Sequence, residues 1–73
     1  MTISEIREQL LNRDAEFQKL AAEHARYSSQ LEQLTRSPYL SGEDLRLEAE
    51  LKKLKLRLKD EMERRVASLL RAS

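Results

Sequence analysis

Three groups of residues in this chain have the types that could do chemistry. His24 is the one histidine, and cysteine is absent. Lys52, Lys53, Lys55, Arg57 and Lys59 form a cationic run with no acid before Asp60. Arg13 is a charge at a position where the surrounding pattern asks for an apolar side chain. An imidazole can ligate a metal or change charge near neutral pH. A metal site, however, takes several ligands, and no second histidine or any thiolate is at hand. Glu23 beside His24 points away from the apolar seam. His24 is therefore expected to be structural, its ring on Leu54 and one nitrogen bonded to a side chain such as Glu50 or to water.

The cationic run could hold phosphates, as clustered basic residues on a helix often do. Against this, Glu48 stands four residues before Lys52 and Glu50 three before Lys53, and Arg57 can reach Asp60 and Glu61. Lys55 and Lys59 are less obviously paired. Spacings of three and four form weak ion pairs on a helix surface, about 0.2–0.5 kcal/mol each. No aromatic residue lies within the run to stack on bases. The run thus reads first as a solvated face, with Lys52, Lys53, Lys55 and Lys59 kept as a candidate contact stripe. Arg13 with Asp60 and Glu61 across the fold reads as a register-fixing polar contact rather than an acid/base pair. No Ser-His-Asp arrangement, glycine-rich loop or paired-carboxylate cleft is present, and two helices alone enclose no pocket. The expectation is a protein that is not an enzyme, with no catalytic residue, cofactor or metal.

The elements that carry these residues are helical. Lys53 to Lys59 alternates with period two, which taken alone suits a half-buried strand. Its surroundings are strong helix formers, and no β-branched residue occurs between Gly42 and Val66. Leu47, Leu51, Leu54, Leu58 and Met62 fall on one side of a 3.6-residue helix. An earlier stripe runs through a positions Ile3, Leu10, Phe17, His24 and Leu31 and d positions Ile6, Arg13, Leu20, Tyr27 and Leu34. Thr2 with Glu5 forms a capping box at its start, and Pro38 disfavours helix at Ser37. Ser41 reads as an N-cap with Glu43 and Asp44 in the next first turn.

The spacing therefore predicts one helix over about 3–36, a turn over about 37–41 in which Tyr39 or Leu40 can fold over the seam, and a second helix over about 42–70. Equal arms around a short turn make an all-α, antiparallel, coiled-coil-like two-helix hairpin, a single domain over 1–73. Residues whose numbers sum to roughly 77 should meet across such a short-loop hairpin. That brings Leu31 to Leu47, Tyr27 to Leu51, His24 to Leu54, Phe17 to Leu58 and Met62, and Leu10 to Val66 and Leu69. Past Leu58 the apolar residues step by four, so the left-handed wrap should relax there.

The run Leu51-Lys52-Lys53-Leu54-Lys55-Leu56-Arg57-Leu58-Lys59-Asp60-Glu61-Met62, with Phe17, Leu20 and His24 before the turn, resembles the YdcH-like family of small bacterial proteins. The likeness spans residues 14 to 70, and its second-helix run is the specific part. Tyr27 departs from it, since leucine is more usual there. The resemblance implies a helical hairpin and a bacterial cytoplasmic source. It implies no catalytic residues, because the family's domain has no known function.

Composition fits this reading. Seventy-three residues, 37% of them charged and 4% aromatic, suit long helices around a thin core. A core so thin gains from association. A net charge of +1 carries no strong signal for nucleic acid. Neither a membrane span nor a signal-peptide core is visible, which points to a cytoplasmic protein. Leu45 and Leu56 lie opposite the seam and dilute any basic amphipathic face for a membrane surface. On a helical wheel Leu45, Ala49, Leu56, Ala67 and Leu70 make a second stripe, with Leu11, Ala15, Ala22 and Ala25 as companions on the first helix. One hairpin has one seam, so these would face water in a monomer. The function expected is a protein–protein interaction module, a homo-oligomer through Leu45, Leu56 and Leu70 that can also dock another helical protein. The alternative is a nucleic-acid-associated protein using the basic stripe.

Overall fold

A computed structural model describes residues 1–72. Helices make up its three elements: α1 spans Ile3–Arg13, α2 spans Ala15–Thr35 and α3 spans Gly42–Ala72. The all-α class holds, but the two-helix hairpin does not. The helix expected over 3–36 is broken at Asp14, and the second helix runs on to Ala72. Ser73, the end of the expected single domain, lies outside the described residues.

The break has a local cause. Asp14 adopts extended backbone, with φ −106° and ψ 109°. Its N–H still donates to the Leu10 carbonyl at 2.9 Å, closing α1. Its side-chain oxygen accepts from the Phe17 N–H at 3.0 Å, opening α2. One aspartate thus ends one helix and caps the next, an arrangement open to short polar side chains that compete with the backbone ladder. Gln18 braces the corner from the other side, its amide donating to the Leu11 carbonyl at 2.7 Å.

The remaining ends follow the sequence. Thr2 accepts from the Glu5 N–H at 3.2 Å, and its hydroxyl donates back to the Glu5 carboxylate at 3.1 Å. Ser41 and Asp44 satisfy one another's backbone N–H groups, each at 3.1 Å, which is a reciprocal capping box at the start of α3. In the turn, Ser37 takes the Tyr39 N–H and donates to the Tyr39 carbonyl. Tyr39 itself is 86% exposed. Leu40, half-buried, turns inward instead.

Burial shows what the corner does. Ile6 and Phe17 are each 1% exposed, and they form one cluster with Leu10 and Val66, against which Met62 packs. In a straight helix, Arg7 would stand well beyond Phe17, near the far end of α3. It instead lines a groove shared with Phe17, His24 and Lys52. Hence α1 leaves the line of α2 and lies across the hairpin, covering α3 around Met62 and Val66. Three helices enclose the core at that end, while α2 and α3 alone, through Leu31 and Leu51, enclose it near the turn. Leu10 and Val66, and Phe17 and Met62, share the core as the counting rule places them. Leu58 is half-buried outside this cluster, Leu47 is exposed beside Leu34 and Leu51, and Leu69 is exposed too.

Candidate interaction surfaces

Two surfaces remain once the core is accounted for. The first is a groove of about 420 Å³ on one flank of the hairpin. Its apolar parts are Phe17, Leu56 and Met62, and its rim carries Arg7, Lys52, Lys55 and Lys59 against Glu63. His24 lies on its wall, half-buried. Arg7 on α1 supplies the end of this groove. His24 therefore shares a wall with Lys52 and Lys55, whereas Leu54 lines a separate hollow with Glu50 and Lys53. Among the described residues no group of three His, Cys, Asp or Glu side chains could hold a metal.

The stripe of candidate cations is divided by this geometry. Lys52, Lys55 and Lys59 face the groove, and Lys53 faces the other hollow with Arg46 and Arg57. Lys52 pairs with Glu48 at 3.2 Å, the i,i+4 partner its spacing predicts. Glu61 pairs with Arg64 at 4.0 Å rather than with Arg57. Among the described residues Lys53, Lys55, Arg57 and Lys59 make no ion pair. Arg13 is not in a seam at all. It ends α1, exposed, and the polar contact that fixes the corner belongs to Arg65. Arg65 lies 3.6 Å from both Asp14 and Glu16. That contact was within reach of the sequence, since Asp14 and Arg65 sum to within a turn of the facing rule and carry opposite charge.

The second surface is the exposed edge of α3 that continues from this groove, with Leu56 common to both. Leu56 is 59% exposed and Leu45 55% exposed, with Ala49 and Ala67 open between and beyond them. Leu70 continues the line at 42%. Leu11, Ala15, Ala22 and Ala25 are likewise exposed on α1 and α2. The corner at Asp14 divides that companion stripe, so Leu11 no longer shares a helix with the alanines.

A family of proteins of unknown function, DUF465, has a model that matches residues 17–66. That is most of the chain, and the YdcH-like proteins are part of the same family. The chain belongs to that family. The matched segment of this DUF465 protein begins at Phe17 and ends at Val66, two members of its core cluster. α1 and the corner at Asp14 lie before it. No curated protein and no solved structure matches the chain. No helix, among the described residues, is long and apolar enough to cross a membrane.

Proposed function

We propose that the chain is a non-enzymatic interaction module that associates with copies of itself through the outer face of α3. The supporting observation is the exposure of Leu56 and Leu45 on one line, flanked by small alanines. A lone exposed leucine is ordinary, but an aligned stripe is not needed by a monomer and costs it solubility. Small neighbours let a second helix approach closely. The thin internal core leaves stability to be gained by covering that stripe.

Dilution tests this reading. A folded state held by association melts at a temperature that falls as the chain is diluted. The wild type should lose several degrees over a hundredfold dilution, and Leu56→Glu should melt at one temperature throughout. A concentration-independent wild type would overturn it.

A second reading rests on the groove, where α1 adds Arg7 to Lys52, Lys55 and Lys59. Those cations could contact a nucleic-acid backbone. Such binding should fall steeply with salt, whereas apolar self-association should not. Fluorescence anisotropy with a labelled single-stranded RNA and a DNA duplex, each titrated at rising salt, distinguishes the two.

A further inference from the structure

We infer that the second copy docks antiparallel, α3 against α3, with Leu56 on the two-fold axis; this rests on the self-association reading above. The order of residues along the exposed face supports this arrangement. Read outward from Leu56 in both directions, that face carries Lys52 and Asp60, then Ala49 and Glu63, then Leu45 and Ala67. In an antiparallel pair centred on Leu56, each residue meets the one equally far on the other side. Leu56 then meets Leu56 of the second copy, Leu45 meets Ala67, and Lys52 meets Asp60.

The charges choose this register. Asp60 of one copy falls between Lys52 and Lys53 of the other, and Glu63 lies within a turn of Lys52, each contact made twice by symmetry. Like charges approach where Lys59 nears Lys52 and Lys53, at the rim, where long side chains can splay into water. A parallel pair would set Lys52 on Lys52 and Asp60 on Asp60. Sliding the antiparallel pair by seven residues one way sets Lys52 against Lys53, and the other way sets Leu56 against Glu63. Leu-to-Ala contacts at both ends let the helices close to about 8–10 Å.

The fold leaves room for this. Leu51, Leu58 and Met62 turn toward α2 and α1, whereas Leu56 stands 59% exposed at the edge of the groove that Met62 lines. A second α3 therefore approaches without displacing either helix. The four long helices would stand in the order α2, α3, α3, α2.

Cysteine cross-linking reads the register, because the chain has no cysteine of its own. Under mild oxidation Leu56→Cys should form a disulfide dimer, its two Cα atoms lying near the axis. A mixture of Leu45→Cys and Ala67→Cys chains should cross-link to each other, and Leu45→Cys alone should not. Lys52→Glu and Asp60→Lys should each weaken the dimer about tenfold, and the double variant should recover most of that loss. If sedimentation shows a dimer but the Leu45→Cys variant alone forms a disulfide between its two copies, the antiparallel register is overturned and self-association stands. A chain that sediments as a monomer overturns both.

Discussion

Asp14 holds Phe17 with one carboxylate oxygen, accepting its N–H at 3.0 Å, and faces Arg65 on α3 at 3.6 Å with the other. A single side chain thus ends α1, starts α2 and ties the corner to the helix beneath it. What distinguishes this fold from a plain hairpin depends on that residue: the turn of α1 away from α2 and the placement of Arg7 in the groove.

Removing the cap should therefore cost more than an exposed aspartate normally would. Asp14→Ala is expected to destabilise by about 1–2 kcal/mol in urea unfolding, from the lost N-cap. Asp14→Asn keeps a capping oxygen and loses the charge toward Arg65. It should cost less, because a half-exposed ion pair contributes about 0–1 kcal/mol. Equal losses in the two variants would show that Arg65, not the cap, secures the corner.

Phe17 is the largest side chain buried in the core, and Ile6, Leu10, Val66 and Met62 surround it. Phe17→Ala should cost about 3–5 kcal/mol, enough to abolish a cooperative melt in a domain this small. Circular dichroism melting checks this. Tyr39→Ala, at the exposed turn, should stay within about 0.5 kcal/mol of wild type.

Deleting residues 1–13 tests what α1 contributes. It removes Ile6 and Leu10 from the core and leaves Phe17 and Val66 open to water. The remaining hairpin should keep its helical signal at low temperature, melt earlier and bind an apolar dye that the full chain does not. Unchanged melting would mean that α1 is not packed on the hairpin in solution.

His24 supplies a test of the metal question. It shares its wall with lysines and with no second imidazole or thiolate, so stoichiometric zinc should leave the melting temperature unmoved. A ligand that binds the folded state alone must raise it. A reproducible rise of several degrees would assign His24 a ligand role with carboxylates or a second chain.

The ends of the helices were legible in the sequence because capping is local chemistry. Thr2 with Glu5, Ser37-Pro38 and Ser41 with Asp44 each act within three residues. The facing of Leu10 with Val66 was legible because two stripes with known spacing admit few registers. The break at Asp14 was not, for a specific reason. Leu10 and Phe17 are seven residues apart and both apolar, so the heptad pattern runs through the corner as if the helix were continuous. The signals that favour a break were Asp14 itself, a poor helix-interior residue, and Glu16 in the turn after it. Ile6 is buried in either arrangement, which hid the difference further. Arg7 lies off the seam of a straight helix, and only the turned α1 carries it to the groove. The seam role expected for Arg13 failed for the same reason, since the register it was counted in ends one residue later.

The central claim is that the outer face of α3 is covered by a second copy of this chain. Sedimentation equilibrium from low to high micromolar concentration measures that directly. Wild type should move toward twice the chain mass as concentration rises, and Leu56→Glu should remain at the mass of one chain while keeping its helical signal. A wild type that stays at one chain mass throughout, or a Leu56→Glu variant that associates as well as wild type, would contradict it.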